Sequence, residues 1–152
     1  MIGEDDAVRA KLKAVPIFAG LNEAAVDYLW EQVTETKVAG GSVIIAEGEA
    51  GNRFFLVGEG SVRVCRHLGQ PNEIELGRLG MGEFFGEMSI LETLPRSASV
   101  QAVGDATVYS LNAMAFYGLF KAMPEQYGIL ILNMARDLSR RLRALEGVLD
   151  TH

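Results

Sequence analysis

Eleven glycines fall between positions 40 and 86, at 40, 41, 48, 51, 58, 60, 69, 77, 80, 82 and 86. They divide the middle of the chain into short β-prone runs: Ser42-Val43-Ile44-Ile45, Phe54-Phe55-Leu56-Val57, Ser61-Val62-Arg63-Val64 and Ile74-Glu75-Leu76. Two more runs follow, from Ala98 to Val103 and from Thr107 to Leu111. Short strands with turn signals at this density read as a barrel or a sandwich. No proline interrupts the runs, so central pairing is open to them. Gly58-Glu59-Gly60 predicts a tight hairpin.

The flanks have a different period. Residues 5–38 alternate apolar and charged groups at helical spacing. Asp5 and Asp6 sit where a helix start favours negative charge, Val8, Leu12 and Val15 share a face, and Pro16 ends the helix. Asn22 predicts an N-cap for a helix carrying Val26, Leu29, Trp30 and Val33. Asn112 predicts a second cap, for a helix to about Met123, and Pro124 opens a longer helix. That last helix repeats Ile131, Leu138 and Leu145 every seven residues, widened by Met134, Leu142 and Leu149. The expected fold class is α+β, mainly β. It is a double-stranded, jelly-roll-like β-roll of about eight strands, with N-terminal helices and two C-terminal helices. One domain spans 1–152, with helices over 1–38, the roll over 39–111 and helices over 112–149.

Composition narrows the function classes. The chain has 152 residues, 49% of them hydrophobic, which suffices for one core. A net charge of -6 repels duplex DNA unless basic residues gather on one face. The single cysteine, Cys65, forms no internal disulfide and fits a reducing compartment. Met1-Ile2-Gly3-Glu4-Asp5-Asp6 is acidic and is no secretory signal. The apolar runs fall short of the ~20 residues of a membrane helix. A soluble, cytoplasmic protein without membrane contact is expected.

The chemistry concentrates in residues 82–100, GEFFGEMSILETLPRSASV. Gly86-Glu87-Met88-Ser89 lies between a strand run and an apolar run able to make one helical turn. A helix start offers unpaired N–H groups to an anion such as phosphate. Arg96 can grip two phosphate oxygens, Glu87 can accept from sugar hydroxyls, and Ser97 adds a hydroxyl. Together these groups describe a nucleotide pocket. Residue types alone leave open an ordinary Glu87–Arg96 ion pair on a barrel rim.

This segment resembles the phosphate-binding cassette of the cyclic-nucleotide-binding domain family, roughly F-G-E-[LM]-[AS]-L and then P-R-[AST]-A-[ST]-V. Phe85-Gly86-Glu87-Met88-Ser89 matches the first half and Pro95-Arg96-Ser97-Ala98-Ser99-Val100 the second, with Ile90 in place of the leucine. Val15-Pro16-Ile17-Phe18-Ala19-Gly20-Leu21 resembles the family's helical entry. Glu47-Gly48-Glu49-Ala50-Gly51-Asn52 and Gly60-Ser61-Val62 resemble its glycine-marked roll.

The resemblance implies a ligand and roles. The ligand is cAMP, with cGMP as the alternative, and there is no cofactor. The cassette covers 84–100, with Gly86, Glu87, Met88, Ser89, Arg96, Ser97 and Ala98 as ligand-binding positions. Glu87 accepts from the ribose 2′-hydroxyl, and Gly86 allows close backbone approach. The N–H groups of Met88 and Ser89 face the cyclic phosphate, Arg96 neutralises it, and Ser97 adds a further contact. Phe84 and Phe85 are assigned to the core. The family's catabolite activator branch uses hydroxyl residues on the last helix to reach adenine, and the matching positions here are Leu145 and Glu146. Leu145 either caps the base or packs in a dimer seam, and Arg143 either stacks on the base or is solvated. The implied activity is sensing through movement of the last helix, not catalysis. The implied partners are the nucleotide and an effector protein that the sequence does not identify; the apolar stripe of the last helix, which outruns the roll, adds a second copy held through that helix, with a frayed chain end as the alternative.

Other classes fare worse. A cupin-type metal enzyme needs converging ligands, and the chain has only His67 and His152. His67 reads as a loop residue, Cys65 as a small buried hydrophobe. Arg136, Arg140, Arg141 and Arg143 read as a solvated face, and no recognition helix follows them for DNA binding. A degenerate relative that keeps the fold as an interaction module without nucleotide remains the alternative.

Overall fold

The structure, a computed structural model, describes residues 7, 9–11, 13–92 and 94–150, and for Ser89, Val148, Leu149 and Asp150 the backbone alone. The expected helical positions Asp5, Asp6, Val8 and Leu12 lie outside the described residues.

Eight strands are found among the described residues: β1 (Thr34–Val38), β2 (Val43–Ile45), β3 (Arg53–Glu59), β4 (Val62–Arg66), β5 (Ile74–Leu79), β6 (Phe84–Phe85), β7 (Ser99–Ala102) and β8 (Ala106–Asn112). They form two antiparallel four-stranded sheets, ordered β1-β8-β3-β6 and β2-β7-β4-β5. The chain changes sheet repeatedly, as a β-roll requires.

Side-chain alternation explains two cores. In β3, Phe54 and Leu56 face the helices, while Phe55 and Val57 face the interior of the roll. In β8, Tyr109 and Leu111 take the helical side and Val108 the roll side. Both faces of β8 are therefore covered, and its residues 106–111 are all buried. On the helical side, Phe54 stacks on Phe84 at 5.4 Å and meets Phe116 edge-on at 5.3 Å. On the roll side, Phe55 stacks on Phe85 at 5.0 Å. These aromatic pairs place β6, and with it the cassette, against β3.

Two expectations need correction. The first strand falls inside the segment read as helical. Thr34-Glu35-Thr36-Lys37-Val38 pairs with β8 at a sheet edge, and its residues are exposed up to the half-buried Val38. An edge strand that buries almost nothing shows no apolar alternation to find. The Gly58-Glu59-Gly60 turn is no hairpin, because β3 and β4 belong to different sheets. It is a corner that carries the chain between them. Gly60 turns at φ +78°, and a Cβ there would stand 2.6 Å from the Asp105 carbonyl oxygen.

The helical caps form as expected. Asn22 accepts from the Ala25 N–H at 2.8 Å to start α1 (Glu23–Gln32). A single turn, α2 (Met88–Leu91), follows β6. Asn112 accepts from the Met114 N–H at 2.9 Å to start α3 (Ala113–Ala122). The last helix, α4 (Pro124–Asp150), has 27 residues and so runs about 40 Å. Its first half is fixed: Leu130 and Met134 are buried, and Asn133 donates to the carbonyls of Ile17 and Ala19 at 2.9 and 2.8 Å. Its second half leaves that core, with Leu142 57% exposed and Leu145 59% exposed. The Leu149 side chain lies outside the described residues. No helix among the described residues is long and apolar enough to cross a membrane.

Candidate functional site

The site begins where β6 hands the chain to α2. Gly86 sits at φ +80°, a conformation that disfavours side chains. A Cβ on it would also stand 3.0 Å from the Arg53 carbonyl oxygen and 3.0 Å from Arg96 Nη1. Glu87 follows in helical geometry, and its side chain makes no capping bond to α2. Its carboxylate is thus not consumed by the helix that it starts.

Arg96 is fixed by its backbone before its side chain. Its N–H donates to the Glu49 carbonyl and its own carbonyl accepts from the Gly48 N–H, both at 2.8 Å. The guanidinium then donates through Nη1 to the Gly86 carbonyl at 3.1 Å and through Nη2 to the Arg53 carbonyl at 3.0 Å. Among the described residues no carboxylate pairs with it, Glu87 included. Burial pushes its pKa down from the usual range, and the charge of Glu87 acts in the opposite direction. The rim ion pair that residue types left open does not form. Arg96 is a half-buried cation held by neutral carbonyls, a state that favours an incoming anion.

Both residues line one cavity of about 480 Å³. Gly86, Glu87, Met88, Arg96, Ser97 and Ala98 form one end of it. The Ser97 hydroxyl reaches Met88 Sδ at 3.6 Å, and Arg66 Nε donates to the Ser97 carbonyl at 3.3 Å. Val64, Leu76 and Leu79 give the cavity apolar walls, and Phe85, expected only in the core, lines it as well. From the last helix come Arg141, Ala144 and Leu145. The arrangement suits a ligand with an anionic end, hydroxyls and a flat apolar end. Among the described residues its lining contains no histidine or cysteine. Cys65 is fully buried in β4, where burial pushes its thiol pKa up.

Of the expected positions, Ser89 stands in α2 with only its backbone described. Arg143 is exposed and does not line the cavity. Arg141 does, two residues earlier and on the opposite face of the helix. Its Nη2 donates to the Phe84 carbonyl at 2.8 Å, its guanidinium sits 4.3 Å over the Phe84 ring, and its Nε lies 2.7 Å from Asp137 Oδ2. Reading the four arginines as one solvated face missed it. The available signal was its phase on the helix, one turn after Leu138 and one turn before Leu145.

A family profile described as "Cyclic nucleotide-binding domain" matches residues 35–123. The chain belongs to the cyclic nucleotide-binding domain family. Over 140 residues this domain is 36% identical to a cyclic AMP receptor protein of Thermus thermophilus, covering 91% of the chain and 62% of the relative. Over 112 residues it is 39% identical to a cyclic nucleotide-gated potassium channel of Mesorhizobium japonicum, covering 74% of the chain and 30% of the channel. The chain thus spans less than two thirds of these curated relatives. A crystal structure of a cyclic nucleotide-binding domain from Methylobacillus flagellatus superposes with a TM-score of 0.83, covering 99% of this chain and 85% of that one. At 22% identity that likeness shows the β-roll fold alone.

Proposed function

We propose that this domain is a cytoplasmic sensor of cAMP, with cGMP as the weaker ligand, and that it regulates without catalysing a reaction. One observation carries the reading: Arg96 sits in the cavity wall without a carboxylate partner, in the same cavity as the uncapped carboxylate of Glu87. In this reading Arg96 and the N–H groups at Met88 and Ser89 take the cyclic phosphate. Glu87 accepts from the ribose 2′-hydroxyl across Gly86. Ser97 and Ala98 complete the phosphate end, and Leu145 covers the base. The relative named a cyclic AMP receptor protein supports the choice of cAMP.

Ligand binding would shift populations rather than make or break bonds. Arg141 and Leu145 line the cavity from α4, so a ligand that tightens the cavity also biases the last helix. That helix would carry the signal to an effector and, through its exposed Leu142, to a second copy of the chain.

Thermal unfolding with cAMP, cGMP and 5′-AMP tests the reading. A ligand at 100 times its Kd stabilises the native state by about 2.7 kcal/mol. The largest shift is expected with cAMP. No shift with any of the three would leave a domain that keeps the fold and serves as an interaction module.

A further inference from the structure

Gly51 lies in the irregular segment before β3 at a φ outside the left-handed region, so its backbone would accept an ordinary residue. Its surroundings would not. A Cβ built on Gly51 would overlap Nε, Cζ and Nη2 of Arg96, far inside any normal approach, and these are its three nearest atoms. On its other side the same guanidinium is 3.0 Å from the Cβ that Gly86 lacks. The Arg96 head therefore occupies a slot between two bare Cα positions, with the carbonyls of Gly86 and Arg53 as its acceptors.

We propose that Gly51 is a positioning residue for the phosphate contact: the missing side chain at 51 keeps Arg96 aimed into the cavity. The consequence for affinity rests on the reading of the site as a cyclic-nucleotide pocket. The two glycines differ in kind. Gly86 also meets a backbone carbonyl and turns at positive φ, so replacing it disturbs the chain path. At Gly51 the conflict is with the far end of one flexible side chain, which can rotate away. Alanine at 51 leaves the roll intact and moves the arginine off its two carbonyls.

The test is a double-mutant cycle of Gly51→Ala and Arg96→Ala, read by calorimetry with cAMP and by the Arg96 Nε–H resonance in NMR. Gly51→Ala alone should weaken cAMP at least about tenfold, the scale of overpacking at a tight contact. In the Arg96→Ala background it should change affinity less than about twofold, since nothing is left to displace. The Nε–H signal, assigned by its loss in Arg96→Ala, should shift or broaden in Gly51→Ala. Equal losses in both backgrounds would make position 51 merely structural and overturn the proposal. So would an unmoved Nε–H signal, a readout that needs no ligand. If the native protein binds no cyclic nucleotide, the reading of the pocket fails, and the resonance alone decides the role of Gly51.

Discussion

The two ends of the cavity are built from different materials. At the cassette end, backbone does most of the holding: Gly48, Glu49, Arg53 and Gly86 fix Arg96 through N–H groups and carbonyls. At the far end, side chains do it. Leu76 is 51% exposed and Leu145 is 59% exposed; the fully buried anchors of its helix, Leu130 and Met134, lie about three turns or more back, and its nearest tether is the Arg141 side chain on Phe84. Backbone anchors do not rotate between rotamers, whereas exposed leucines do. The cassette end should therefore set how tightly an anion is held, and the helical end should set which base is preferred and what moves.

The steepest test of this contrast is Arg96→Leu. It leaves a bound phosphate desolvated and without its counter-charge, a loss of typically ~2–5 kcal/mol. Calorimetry with cAMP should show affinity down by at least about thirtyfold. An unchanged Kd would move the phosphate away from Arg96 and collapse the contrast. Glu87→Ala comes next. A hydrogen bond to a charged group contributes roughly 1.5–3 kcal/mol, so a loss of at least about tenfold is expected with cAMP. Native protein should discriminate against 2′-deoxy-cAMP, and the variant should bind the two nucleotides alike. A native protein indifferent to the 2′-hydroxyl would make Glu87 structural.

The same contrast decides what could be read without coordinates. The segment 84–100 stood out because its groups lie in one stretch that resembles a family motif, and the structure brings its Glu87 and Arg96 to one cavity. Most of the roll was legible because glycines mark its turns. β1 was not, since an edge strand of Thr, Glu and Lys buries too little to show a period. Nor was the Gly58–Gly60 corner, because the same turn residues serve a hairpin or a change of sheet, and only long-range pairing decides. Arg141 was hidden by its neighbours: four arginines look alike in sequence, and only the phase of the helix separates the one over Phe84 from those in solvent. The slot around Arg96 depends on a side chain that is absent at a distant position, which leaves no local pattern.

At the helical end the effects should be smaller. Leu145→Ala removes three carbons from a side chain already 59% exposed. Burial of apolar area contributes about 25 cal/mol per Å², so a lid that covers a few tens of Å² of base adds on the order of 1 kcal/mol. Competition of cAMP against cGMP should show both affinities reduced about threefold to fivefold and the preference for cAMP narrowed. A thirtyfold loss in Leu145→Ala would mean that the helical end holds the ligand as firmly as the cassette does.

The smallest expected change in affinity is at Leu142, and it separates the lid from the seam. Leu142 is 57% exposed and does not line the cavity, whereas Leu145 is exposed and does. The two are three residues apart, so they lie close along the helix but point about 60° apart around it. An exposed leucine outside the cavity is a candidate for contact with a second copy, where the same helix would meet itself across a two-fold axis. Leu142→Glu would place like charges across such a seam. Light scattering over a range of concentrations should then show a dimer for the native chain and a monomer for the variant. Calorimetry should show cAMP affinity within about twofold of native. Both results together would assign Leu142 to assembly and Leu145 to the base. Loss of affinity in step with loss of the dimer would mean that the helical end of the cavity is completed by the second copy, and base selectivity would then belong to the pair. A native chain that stays monomeric at every concentration, with or without cAMP, would remove the seam and leave the lid as the sole role of this half of the helix.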